Sequence, residues 1–399
     1  MPMPMNSHAL SHVHAVLQNH VVRGILPGAV ALVHHRGQTV LHTAVGQLRP
    51  PADAAAAPDG APVSTPMGSA PAMAPDSLFR IYSMTKPIVS LVTMMLMEEG
   101  RLLLSHPVSR YLPAFAKPQV ADADGATRAA LREATVHDLL RHTAGLSYAW
   151  DAGPVPDAYR AARVGSRRHT NAQLAAALGP LPLVHQPGTC WEYSRATDVL
   201  GAVLEVIENA PLGTILQRRV FEPLGMHDTG FSVAPEHLHR LAEPFARDPE
   251  TDQAVALIDV SAPPAFESGG GGLVSTAADY ARFLSLMLGR GTTEGPSGTV
   301  RLVGRATVDF MTADHLGSLP VAGDILPPGY GFGLGVAVRT SAGLATRPGS
   351  VGHYSWSGMG GTYFFVDPSE ELFAMVLAQA PGQLGTLCEL FPALVYAAL

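Results

Sequence analysis

Apolar positions along the chain follow a helical period first, then a strand period, and return to strands near the end. Leu10, Val13, Val16, Leu17 and Val21 recur at helical spacing, which predicts a helix over residues 8–22. Pro27-Gly28 opens a strand over 29–34, Arg36-Gly37 reads as a turn, and a second strand covers 39–45. Residues 50–75 are rich in Ala, Pro and Gly without periodicity and are expected to form a long loop or insertion. A strand-like stretch, 78–82, leads into 87–97, which is apolar on every side and therefore reads as a buried helix. It is too short to span a bilayer.

From residue 102 to about 264 the pattern is mostly helical, broken by Pro-Gly punctuation. Thr135 is a good cap for the helix that follows it. A clear helix covers 196–207 and another 275–288, with Thr276 as its cap. Residues 331–338 alternate glycine with bulky side chains, as in a strand that something approaches closely. Strands are predicted at 353–356, 362–366 and 372–379, and a helix at 384–399. Strands at both ends and helices between them imply a sheet assembled from the two termini. The expected division is 1–82 with 265–399 as a sheet domain and 83–264 as an inserted helical domain, with a cleft between them.

Composition narrows the class. The chain has 399 residues, 47% of them hydrophobic, enough for a sizeable core. Its net charge of -7 and lack of a basic run argue against nucleic acid as a partner. Cys190 and Cys388 are the only cysteines, so there is no disulfide framework and no tetrathiolate zinc site. No signal-like start is visible and no membrane segment is expected, so the expected location is the cytoplasm. Oligomeric state leaves no mark in the sequence.

The candidate chemistry begins at Ser83-Met84-Thr85-Lys86. The chain has two lysines, Lys86 and Lys117, and uses arginine for every other fixed cation. Burial can turn a lysine into a neutral amine, whereas arginine stays charged. A neutral amine one helical turn from a hydroxyl can take its proton and leave a nucleophile. Backbone amides at the helix start would also face a developing oxyanion. A second signal is Trp191-Glu192-Tyr193-Ser194-Arg195, where a tyrosine could relay a proton to a neighbouring lysine. A third is His353-Tyr354-Ser355-Trp356-Ser357-Gly358-Met359-Gly360-Gly361, a small-residue strand edge whose amides can approach a carbonyl.

In this order the three segments resemble the serine β-lactamase and penicillin-binding-protein superfamily, over nearly the whole chain. Phe79 to Lys86 is similar to its first motif, and Leu139-Leu140-Arg141-His142-Thr143-Ala144-Gly145-Leu146 to a recurrent helix end. Tyr193 is similar to the class C second-motif tyrosine. Phe221 to Met226 and Gly270 to Thr276 are also typical. Two departures point to one branch. Arg195 stands where the second motif usually has asparagine. Trp356-Ser357-Gly358 stands where lactamases and peptidases carry a lysine or histidine for a substrate carboxylate, and Trp-x-Gly resembles the family VIII carboxylesterases.

The resemblance implies an α+β fold, an antiparallel sheet flanked by terminal helices plus a mostly helical domain. It implies Ser83 as nucleophile, Lys86 and Tyr193 acting together as general base, and an oxyanion hole from the backbone N–H groups of Ser83 and Met359. Trp356, Ser357, Gly358, Tyr82 and Arg195 are expected to bind substrate, and no cofactor or metal is implied. The function implied is hydrolysis of short- to medium-chain acyl esters. The alternatives are acyl transfer on the same fold, a weak β-lactamase or D-amino-acid amidase, and a silent binding protein, which the intact motif disfavours. Other signals carry less: His8, His12 and His14 read as a solvated helix face, and Gly-x-Ser-x-Gly and phosphate-loop motifs are absent. Residues 148–170, like 50–75, are expected to be lid or pocket-wall loops.

Overall fold

The computed structural model describes residues 5–50, 71–150 and 152–399, so the 50–75 loop lies mostly outside the described residues. A seven-stranded antiparallel sheet organises the molecule. From edge to edge its order is Gln38–Gly46, Gly28–His35, Leu372–Ala378, Thr362–Asp367, Tyr354–Gly358, Ala337–Arg339 and Tyr330–Phe332. The last long strand of the chain thus pairs with the first, Ala29 opposite Ala378 and Leu32 opposite Met375. The two termini build one sheet, as the distribution of strands along the sequence implies.

Period-2 alternation sends neighbouring residues to two different cores. Val30 and Leu32 join Phe364, Val366, Phe373 and Met375 in the larger one. Ala29, Ala31 and Val33 join Phe365, Ala374 and Val376 beneath the terminal helices Ser7–Val22 and Leu384–Tyr396. Both faces are covered, which is why Leu372–Ala378 is buried at every position and reads as a continuous apolar run. The helix Thr85–Glu98 is buried from Thr85 to Leu96. The larger core runs without a break from the sheet face through this helix to Val136 and Leu200.

Three expectations change. Residues 331–338 are two strands, Tyr330–Phe332 and Ala337–Arg339, paired with each other. The turn between them places Gly335 at φ 99°, where a Cβ would overlap Ser90 of the buried helix. Residues 148–170 are not all loop, because Pro154–Ala161 is helical and buries Val155 and Tyr159. The middle of the chain is less helical than expected. It includes the hairpin Gln119–Ala121 with Thr127–Ala129, and residues 241–273 run without a helix. Among the described residues, no single helix is long and apolar enough to cross a membrane.

Candidate active site

Ser83 is not the first residue of the buried helix. It sits in the short 3-10 turn Tyr82–Met84, and the helix proper starts at Thr85. The preceding strand, Phe79–Arg80, pairs with Val274–Ser275. Arg80 anchors it, donating from Nε to the Ile258 carbonyl at 2.6 Å and from Nη1 to the Ala242 carbonyl at 3.0 Å. Tyr82 then takes φ 44°, a left-handed conformation that costs a non-glycine residue about 1–3 kcal/mol and recurs at functional sites. Two contacts hold it there. The Ile258 N–H donates to the Tyr82 hydroxyl at 3.0 Å, and the ring packs where a Cβ on Gly360 would otherwise sit. Tyr82 was expected to bind substrate. Its hydroxyl is engaged by the backbone, so what it offers is a wall and a strained hinge that sets Ser83.

Lys86 lies one turn beyond and is fully buried. Its Nζ is 2.7 Å from the Gly270 carbonyl, 2.9 Å from the Tyr148 hydroxyl and 3.3 Å from Ser83 Oγ. Burial lowers its pKa to about 7; the carboxylate of Asp198 works against that shift and the Arg195 guanidinium adds to it. Around neutral pH this amine is therefore divided between its neutral and charged forms.

Tyr193 completes the group. Its hydroxyl hydrogen-bonds the Ser83 side chain and accepts from Trp356 Nε1 at 3.3 Å. Its ring lies under the lysine, with Nζ 4.4 Å from the ring centroid. Burial raises the phenol above its ordinary value, so it stays protonated at neutral pH. The segment Leu139 to Leu146 explains why Tyr193 stands here. Thr135 and Asp138 form a reciprocal cap on Val136–Leu140, an arrangement worth about 1 kcal/mol. Past that helix His142 turns to φ 57°, accepts at its carbonyl from the Glu192 N–H at 2.9 Å, and takes the Ser194 N–H on Nδ1 at 3.2 Å. Both neighbours of Tyr193 are thus pinned. The His142 ring is 5.0 Å from Tyr193, and its burial, with the charge of Lys86, keeps it neutral.

The third segment meets the first edge-on. A Cβ on Gly358 would overlap the Ile81 carbonyl oxygen, so only glycine lets this strand end approach the Ser83 turn. Met359 follows immediately, its side chain out in solvent and its backbone beside that turn. Trp356 faces Tyr193 with ring centroids 5.2 Å apart.

Two of the expected substrate contacts are engaged by other residues in the structure. Ser357 lies on the opposite face of the strand from Trp356, opposite Tyr363, and hydrogen-bonds the Cys388 thiol under the terminal helix. Alternation along the strand requires this. Arg195 is turned onto Asp198, Nη1 to Oδ2 at 3.3 Å, and onto the Tyr148 ring. His353 supplies no charge to the site, because burial drops its pKa to about 3 and it bonds Tyr396 instead.

Two residues of the site escape a sequence reading. Tyr148 lies in a segment without periodicity, 62 positions from its partner Lys86. Asp198 is an ordinary first-turn acid of the helix Ala196–Glu208. Its Oδ1 accepts from Ser268 Oγ at 2.6 Å and from the Gly270 N–H at 2.9 Å, so it fixes the residue whose carbonyl accepts a hydrogen bond from Lys86 Nζ. Only its place in a helix first turn marked it. Asp198→Asn removes the attraction that raises the Lys86 pKa and leaves Arg195 unpaired, so the pKa falls further. The acid limb of kcat/KM against pH is expected to move to lower pH in this variant; a limb that stays or rises would show that Asp198 does not act on Lys86.

Comparison with known proteins places the chain in a family. The family model described as Beta-lactamase matches residues 13–398. Esterase EstB of Burkholderia gladioli is 34% identical over 375 residues, 88% of this chain and 86% of EstB. Protein Rv1367c of Mycobacterium tuberculosis (strain ATCC 25618 / H37Rv) is 39% identical over 322 residues, 76% of this chain and 78% of its own length. The structure of EstCE1, a hydrolase with promiscuous acyltransferase activity, covers 98% of both chains at 28% identity with a TM-score of 0.77. With a serine, a buried lysine and a tyrosine assembled on that fold, the chain belongs to the beta-lactamase family and is a serine hydrolase.

Proposed function

We propose that the protein is a carboxylesterase acting on neutral short- to medium-chain acyl esters through an acyl-enzyme on Ser83. The observation that carries this reading is the face opposite Ser83. Trp356 fills the position where carboxylate-binding relatives place a cation, and it turns its one N–H to Tyr193. Such a wall accepts an uncharged acyl chain and gives nothing to an anionic lactam or peptide.

The neutral Lys86 amine has two N–H bonds and one lone pair. Gly270 and Tyr148 take the two N–H bonds, which leaves the lone pair for the Ser83 hydroxyl. As Ser83 Oγ attacks the ester carbonyl, its proton passes to Lys86 Nζ. The carbonyl oxygen gains charge against the Ser83 and Met359 amides. Collapse breaks the bond to the alkoxide, which takes a proton from the Lys86 ammonium, with Tyr193 as the relay. Water then gives a proton to Lys86, attacks the acyl-enzyme, and Ser83 recovers its proton as the acid leaves. An alcohol in place of water gives acyl transfer from the same intermediate, the activity named for EstCE1.

Initial rates on p-nitrophenyl butyrate and on a chromogenic cephalosporin test the substrate class. The ester is expected to lead in kcat/KM by about 10- to 100-fold, the worth of one missing hydrogen bond to a charged group. Equal or faster cephalosporin turnover would contradict the ester assignment. Product partition with added alcohol measures the transferase share.

A further inference from the structure

All three tryptophans of the chain surround one ring. Trp356, Trp150 and Trp191 have centroids 5.2, 5.9 and 6.2 Å from that of Tyr193. Trp191 and Trp356 are buried, as large aromatic side chains normally are. Trp150 is 59% exposed. It is nonetheless ordered against a partner: its ring lies parallel to Tyr148, 4.6 Å away at 9°, and Tyr148 is the residue that bonds Lys86. One face of the indole stacks on Tyr148, and more than half of the residue's surface is exposed among the described residues.

The backbone is strained to achieve this. Ala149, just before Trp150, takes φ 63°, a left-handed conformation for a residue with a Cβ. The Ser147 hydroxyl accepts from its N–H at 3.2 Å, and Arg160 Nη1 donates to its carbonyl at 2.7 Å from the helix Pro154–Ala161. These two bonds hold the turn that folds the apolar ring back over the site.

We propose that Trp150 is the outer end of the substrate site and selects esters that carry a flat apolar ring, which stacks on its exposed surface. This inference rests on the esterase reading above and names its substrate class. The inner wall of Tyr193 and Trp356 holds the chain next to the carbonyl. The indole, one ring further from Ser83, meets the part of the ester remote from the bond that breaks. Contact there is uniform binding, so it is read in KM more than in kcat.

The test compares ethyl butyrate, ethyl phenylbutyrate and benzyl butyrate with the wild type, Trp150→Ala and Trp150→Phe. Wild type is expected to prefer at least one ring-bearing ester. In Trp150→Ala that preference, as a ratio of kcat/KM to ethyl butyrate, falls about tenfold through KM, the scale of one lost aromatic stack with its buried area. Trp150→Phe keeps most of the ratio. Which aryl ester responds shows whether the ring is on the acyl or the alcohol side, and either supports the proposal. Ratios unchanged in Trp150→Ala, or all three esters falling together, would overturn it while leaving the esterase reading intact. A wild type inactive on all three esters would overturn both. Because Trp150 is exposed, neither variant disturbs the core.

Discussion

Ser83→Ala is expected to abolish ester turnover and to leave the protein folded. Without the nucleophile, the covalent intermediate cannot form, and kcat on p-nitrophenyl butyrate is expected to fall by at least about 10,000-fold, the usual cost of removing such a group. Folding is a separate matter. Among the described residues, Ser83 Oγ bonds to Lys86 and Tyr193. Lys86 keeps its bonds to Gly270 and Tyr148 when Oγ is gone. The thermal midpoint should therefore match wild type, within the effect of about 0.5 kcal/mol expected of a mild substitution. Loss of activity with loss of fold would leave Ser83 a structural residue and defeat the assignment.

Lys86→Met has the second-largest effect. Removing the base costs about 100- to 10,000-fold in kcat. Lys86→Arg should be equally inactive, since guanidinium does not give up its proton. The wild-type pH profile carries the same information. Lys86 must be neutral to accept the serine proton, and its pKa is lowered to about 7. Activity therefore rises with pH through about 7, and the variants lose that limb along with the rate.

Stability moves with pH for the same reason. Between about 7 and the ordinary lysine value of 10.5 the unfolded chain holds a proton at Lys86 that the folded protein does not. Stability of the wild type therefore rises across that window as pH rises. Below it the full cost of a buried charge remains. The melting temperature of Lys86→Met relative to wild type should shift in favour of the variant as pH drops through the window. A constant difference would mean that Lys86 is charged in the folded protein.

Local patterns were legible and long-range ones were not. Ser83 and Lys86 stood out because their spacing is one helical turn and because lysine is rare in this chain. The sheet built from both termini followed from strand periods at the two ends. Tyr193 and Trp356 were identified through resemblance, since each alone reads as a core aromatic. Tyr148 and Asp198 had no such mark. The fold brings them to Lys86 from two different segments, Tyr148 from one without periodicity and Asp198 from the first turn of the helix Ala196–Glu208. Ser357 was grouped with Trp356 through the motif, whereas the strand sends the two side chains to opposite faces. Gly335 hid a hairpin inside what reads as one strand. Pro154–Ala161 is too short and proline-rich to show a helical period.

The central claim is that Ser83 carries the acyl group. Wild type and Ser83→Ala are mixed with p-nitrophenyl butyrate, quenched in acid within the first turnovers, and their intact masses measured. The account predicts wild-type protein heavier by one butyryl group, mapped by peptide digestion to Ser83, and no adduct on the variant. An adduct on another residue, or rapid ester turnover by Ser83→Ala, would contradict it.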